Sequence, residues 1–118
     1  MFPHKEFFEI DLDSEWHPVE GYPRGICYQE LAGQIDLHGL RARLVKFEPN
    51  AYTTEPVVHE TAEMVFIYSG TLVVGCDQQG YGGTSFAAPT FAIRPGQISH
   101  GPFAAPDGCI MLELHMRT

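Results

Sequence analysis

Six histidines and three cysteines are the side chains of this sequence best suited to ligation, nucleophilic attack or proton transfer near neutral pH. His4, His17 and His38 stand in polar, turn-like surroundings without a partner pattern, and they read as exposed or capping histidines. His59 and His100 are placed differently. His59 lies in Val57-Val58-His59-Glu60-Thr61-Ala62-Glu63, directly ahead of the most strand-like stretch of the chain. His100 lies in Arg94-Pro95-Gly96-Gln97-Ile98-Ser99-His100-Gly101-Pro102-Phe103. Glu113 and His115 form an i, i+2 pair near the C-terminus and could act as acid/base groups if their face points inward. The alternation Ile110, Leu112, Leu114, Met116 puts the apolar face on the other side, so the pair is expected on a solvated edge. Cys27, Cys76 and Cys109 are odd in number and lack CxxC spacing. They are expected to be buried or half-buried free thiols in a reducing compartment, with neither a zinc ribbon nor a disulfide framework.

The elements that must position these groups read almost entirely as strands. The one stretch of helix-like composition, Asp11 to Glu15, is short and runs into Trp16-His17-Pro18 without an apolar stripe. Ile26 to Leu31 and Leu40 to Glu48 are rich in strand formers, and Asp36-Leu37-His38-Gly39 between them reads as a turn. Pro49-Asn50-Ala51 is a second turn, because Asn tolerates the left-handed region. Glu63 to Tyr68 and Thr71 to Val74 flank Ser69-Gly70, a pattern that predicts a hairpin. Apolar residues on both faces of its first arm place that arm between two layers, with Phe66 and Tyr68 opposite the Glu63, Val65 and Ile67 face. Phe91-Ala92-Ile93, the turn Arg94-Pro95-Gly96 and a last strand from Cys109 to Met116 complete the pattern. Phe66, Tyr68, Phe86, Phe91 and Phe103 are expected in the core rather than around a substrate. Many short strands with Gly and Pro turns predict an all-β antiparallel sandwich or barrel.

Composition bounds the function. The chain of 118 residues fits one domain, residues 1–118, with 1–5 as a short N-terminal arm. Fifteen acidic against seven basic side chains, with no Lys/Arg cluster, argue against a nucleic-acid partner. No apolar run approaches the ~20 residues that span a bilayer. The N-terminal Met1-Phe2-Pro3-His4-Lys5-Glu6 lacks the apolar region of a secretory signal, so the cytoplasm is the expected location.

The His59 and His100 segments resemble the cupin superfamily, whose first motif is G(X)5HXH(X)3–4E(X)6G and whose second is GX5PXGXXH. His59, three residues, Glu63, six residues and Gly70 reproduce the latter half of the first motif. Pro95, with His100 five positions on, reproduces the centre of the second. Trp16-x-Pro18-Val19, Leu44 to Pro49, His100 to Phe103 and Gly108 to Glu113 are similar to small single-domain cupins of the ChrR-like group. The departures are specific. Val57 occupies the slot of the family's first histidine, and Pro89 and Gln97 replace the two glycines of the second motif. Glu55 shares the strand parity of Val57 and could substitute for it, and Gln97 reads either as a pocket residue or as an altered turn.

The resemblance implies a jelly-roll-like double-stranded β-helix with His59, Glu63 and His100 converging in its mouth. Two imidazoles and a carboxylate can hold a divalent metal with open positions, whether Fe, Zn, Mn, Ni, Co or Cu. Through that metal the three residues would serve catalysis on a small carbonyl or carboxylate compound, as in cupin dioxygenases, isomerases, decarboxylases and lyases. The rival expectation is a non-catalytic, small-ligand-binding or sensor-type cupin, in which the trio hydrogen-bond one another without metal. A homodimer is expected in either case, because one small barrel covers only one of the two apolar faces.

Overall fold

The computed structural model describes residues 2–117; residues 1 and 118, the ends of the expected domain and arm, lie outside the described residues. The chain is nearly all β, as expected. In chain order the elements are β1 (His17–Pro18), β2 (Ile26–Gln34), α1 (Ile35–His38), β3 (Leu40–Phe47), β4 (Ala51–Tyr52), β5 (Val57–Val58), β6 (Ala62–Val74), β7 (Thr84–Ala87), β8 (Thr90–Arg94), β9 (Ser99–His100), β10 (Phe103–Ala105) and β11 (Cys109–Met116). Every pairing is antiparallel. The large sheet runs β1-β2-β3-β11-β6-β10-β4, with β7 and β8 also paired to β6, and it curls into a half-barrel; β5 and β9 form a separate two-stranded ladder.

Two local expectations change. Asp36 to Gly39 is not a bare turn: Ile35–His38 closes one helical turn, ended by Gly39 at φ 71, whose N–H donates to the Ile35 carbonyl. Ser69-Gly70 does not reverse the chain at all. β6 is one strand of 13 residues. Its first part pairs with β11 and β8, and its last four residues pair with β7 and β10. At the junction the register to β11 slips, so that Ser69 faces Ile110 while Ile67 faces Met111. The extra residue is a β-bulge, which bends the strand and carries it from one side of the barrel to the other.

Gly70 makes this bend possible. Its φ is +82, and a Cβ there would stand 2.2 Å from the Gly108 carbonyl oxygen. Gly70→Ala therefore combines left-handed strain of about 1–2 kcal/mol with a backbone clash. The expected loss in urea unfolding exceeds 2 kcal/mol, above the ~1 kcal/mol of a typical substitution. A Gly70→Ala variant as stable as the parent would remove the bulge from this account.

Sheet register sorts side chains into rows. The outer row crosses the strands as Gln29, Leu44, Leu112, Phe66, Phe91. The inner row passes through Val45, Met111 and Ile67, all buried, in a core completed by Ile26, Phe47, Val65 and Leu72. Phe66 and Tyr68 lie opposite the Glu63, Val65 and Ile67 face, as the alternation predicts. They are nonetheless exposed, and so are Phe86 and Phe91, while Phe103 is half-buried. The expectation of core aromatics is corrected for Phe66, Tyr68, Phe86 and Phe91, while Phe103 packs against the core; the interior is otherwise filled by aliphatic chains, Phe47 and Met111. At the other end of the outer row, Gln29 donates to the Asp11 carbonyl and to the Ser14 hydroxyl, which fastens the N-terminal segment across the sheet. Asp11 to Ser14 is a turn rather than a helix, with the Ser14 N–H bonded to the Asp11 carbonyl.

Candidate metal centre

The same register builds a polar row inside the barrel. Arg94 on β8 lies opposite Glu63 on β6, and Glu63 lies opposite His115 on β11. One step along, Glu113 on β11 lies opposite Arg43 on β3. All of these side chains point inward. The expected solvated edge for Glu113 and His115 is therefore wrong. β11 is the central strand between β3 and β6, and its inward face is Cys109, Met111, Glu113 and His115. Alternation in sequence shows which residues share a face. It does not show that two arginines from other strands make the polar face the buried one.

Glu63 is 2% exposed and fully engaged. Arg94 donates to its Oε1 from Nε at 3.0 Å and from Nη2 at 2.6 Å, and His115 Nε2 lies 2.8 Å from its Oε2. Arg43 Nε donates to Glu113 Oε1 at 3.1 Å, and His115 Nε2 is 3.4 Å from that same oxygen. Burial alone would raise the Glu63 carboxyl, but the His115 hydrogen bond and the Arg94 charge hold it down at about 2. His115 is also buried, which would lower it, yet its two carboxylate partners lift it to about 9.

His59 and His100 reach this row from loops and from the small ladder. His100 ends β9, where Val57 of β5 lies directly opposite it. The turn after β8 presses close to residues 59–60. A Cβ on Gly96 would stand 2.3 Å from the Glu60 carbonyl oxygen, and the Gln97 N–H donates to the His59 carbonyl at 2.8 Å. Gln97 has φ 68 and an exposed side chain, so it is an altered turn residue and not a pocket group. Glu55 is exposed and lines a different depression, with Val57 and Tyr22, so it does not stand in for a histidine at the Val57 position.

The His59 and His100 rings are 5.1 Å apart, and the His59 and His115 rings 5.2 Å apart. His59 Nε2 is 3.7 Å from Glu63 Oε2, and His100 Nε2 is 3.9 Å from Glu63 Oε1. The ligand atoms of His59, Glu63 and His115 all lie within 4.8 Å of one another. Three imidazoles thus surround one carboxylate. Desolvation keeps His59 and His100 below the ordinary histidine range, His100 at about 4, so at neutral pH both carry a free lone pair. Neither buried nitrogen of His100 has a hydrogen-bond partner among the described residues. A buried polar group left unpaired costs about 1–3 kcal/mol, which a bound ligand recovers. Neutral imidazoles with a carboxylate suit a divalent transition metal, and the residues fit one. A cavity of about 40 Å³ beside them holds a few water-sized species and no organic molecule. Its rim includes Tyr22, whose phenol is raised by burial and then by Glu113.

Of the expected trio, the structure brings His59, Glu63 and His100 to one wall. Sequence reasoning missed Arg94, Arg43 and the inward His115. The i, i+2 acid–base pair Glu113 and His115 is the available signal, and alternation alone puts it on the wrong face. His4 and His17 are exposed and His38 is half-buried, all away from this wall. Cys76 and Cys109 are buried, Cys27 is half-buried, and all three are free; burial raises each thiol, Cys109 to about 12. Such thiols are poor nucleophiles.

No protein-family model matches the sequence, and no curated protein is significantly similar to it. Solved structures are similar in fold. An acetylacetone dioxygenase from Acinetobacter johnsonii superposes with a TM-score of 0.73 at 18% identity, covering 97% of this chain and 75% of that one. An RmlC-like cupin from Shewanella frigidimarina gives 0.70 at 20% identity, covering 97% and 93%. KdgF from Halomonas sp. gives 0.67 at 23% identity, covering 97% and 96%. The chain has the cupin fold; the narrower ChrR-like likeness is not among what these neighbours support.

Proposed function

We propose that this cupin-fold protein is a metal-dependent enzyme. Its divalent ion would sit on His59, Glu63 and His100, with His115 adjoining, and it would act on a small carbonyl or carboxylate compound. The observation that carries the reading is His100, a buried, neutral imidazole with both nitrogens unpartnered, beside a second imidazole and a carboxylate. A bound divalent ion supplies Lewis acidity or, as iron, oxygen activation. The chain's own residues set the frame for it. Arg94 and His115 fix the Glu63 carboxylate in one orientation, and the walls of the 40 Å³ cavity limit water to a few molecules. Neighbours of like fold whose names are those of enzymes agree with this reading.

Elemental analysis of the purified protein tests it. One equivalent of a divalent metal is expected, falling below about a tenth in His59→Ala and in His100→Ala. A metal-free protein with an intact fold would instead support the second reading, a small-ligand-binding cupin without catalysis. Val57 in place of a histidine, and a Glu63 already satisfied by Arg94 and His115, favour that second reading.

The described chain forms one cupin unit in this reading, and its free thiols suit a reducing cytoplasm. Among the described residues no helix is long and apolar enough to cross a membrane. No basic cluster suits nucleic acid, and a second copy is the macromolecular partner proposed. Phe66, Phe91 and Ile93 form an exposed apolar strip on the outer face of β6 and β8. Light scattering is expected to give twice the mass of the chain and Ile93→Asp to shift it toward one; a parent protein that stays monomeric when concentrated would overturn the dimer.

A further inference from the structure

Next to the small polar cavity lies a second pocket of about 240 Å³, and the two share the walls Val65, Leu72, Arg94, His100 and Phe103. The larger pocket lies against β7 and β8, where Phe86 and Phe91 stand, and its remaining lining is aliphatic apart from Thr90. A dry apolar cavity of ~150 Å³ is enough to hold benzene. The larger pocket therefore has room for one ring, or a branched chain of similar bulk, with a short substituent. The smaller cavity does not. An organic ligand at this centre must place its body among Val65, Ile67, Leu72 and Ala92 and only its head at the polar wall.

Two groups of the shared wall meet that head. Arg94 uses Nε and Nη2 on Glu63, and its Nη1 has no hydrogen bond among the described residues. His100 offers two unpartnered nitrogens. The permanent charges of the wall cancel in pairs, Arg94 with Glu63 and Arg43 with Glu113. A divalent ion held by the imidazoles would then leave the wall net positive, with no further protein counter-ion. A negative ligand head supplies one, and in a site shielded from water that attraction is strong.

We infer that the centre takes a compact monoanion, a carboxylate or enolate with an apolar body of one ring or a branched chain, its head at Arg94 and His100 and its body in the 240 Å³ pocket. The assignment deepens the proposed function and rests on the same wall being a ligand-binding centre. It makes Arg94 a specificity-determining residue as well as the anchor of Glu63.

The test uses three probes on the purified full chain, with metal content recorded alongside: phenylacetate, its neutral isostere phenylacetamide, and acetate. Calorimetric titration is expected to show one saturable site for phenylacetate, at least tenfold tighter than for either other probe. Ala92→Phe fills the pocket from β8 and should weaken phenylacetate at least tenfold while leaving the metal content unchanged. Thr90→Trp replaces that variant if Ala92→Phe does not fold. Equal affinity for acid and amide, equal affinity for phenylacetate and acetate, or tight phenylacetate binding to the filled pocket would each overturn the assignment. A metal-free protein that still selects phenylacetate removes the metal and keeps this inference. A metal-loaded protein that selects nothing keeps the metal and removes it.

Discussion

Glu63→Ala is expected to cost about 3–5 kcal/mol of folding stability in urea unfolding at neutral pH, more than any other single change at this site. Glu63 is 2% exposed, and its carboxylate is the acceptor for Arg94 and His115 together. Alanine leaves a guanidinium in the barrel without its counter-ion, and it leaves His115 with Glu113 alone. The cost comes from these stranded partners and not from the lost carboxylate as such, so it should be non-additive. Arg94→Leu alone should also destabilise strongly, because it leaves the carboxylate poorly balanced. Adding Arg94→Leu to Glu63→Ala should recover 1 kcal/mol or more of the summed loss, on the order of the coupling seen between contacting charged groups. A strictly additive double variant would mean that the Arg94–Glu63 contact does not couple the two strands. If Glu63→Ala cannot be purified, Glu63→Gln keeps an acceptor for Arg94 and should unfold between it and the parent.

His115→Ala is expected to weaken the metal by at least about 100-fold, as much as His59→Ala and more than the ~10–100-fold that loss of an outer partner costs. The warrant is position. His115 Nε2 shares Glu63 Oε2 with His59, and its ligand atom lies within 4.8 Å of theirs. In space it supplies a third imidazole to a wall where Val57 supplies none, but from the last strand rather than from the strand of the first motif. Ligation requires His115 to give up the proton that Glu63 and Glu113 favour, so metal uptake should release protons. Competition with a chelator of known affinity reads the first effect, and a weakly buffered dye reads the second. Loss of no more than ~10–100-fold would assign His115 to orienting Glu63 alone and leave His59, Glu63 and His100 as the donor set.

The fold class was legible in the sequence because strand alternation and Gly/Pro punctuation are local signals, and nearly every element is β. His59, Glu63 and His100 were legible as candidates because motif spacing is also local: Glu63 follows His59 by four, and His100 follows Pro95 by five. The same reasoning placed Phe66 and Tyr68 opposite Val65 and Ile67, since parity along one strand needs no partner. What failed needed a partner. Ser69-Gly70 has the composition of a turn, and only the Gly108 carbonyl, against which Gly70 packs, makes it a bulge in a continuous strand. Glu113 and His115 have the composition of a wet edge. They face inward because β11 lies between β3 and β6, where the register presents Arg43 to one and Glu63 to the other. The sequence by itself determined the strands, their parity and two arms of the site. Which face of β11 is buried was decided only by tertiary structure, because the burial of a charge depends on a counter-charge, and here that charge comes from strands 52 to 70 residues away.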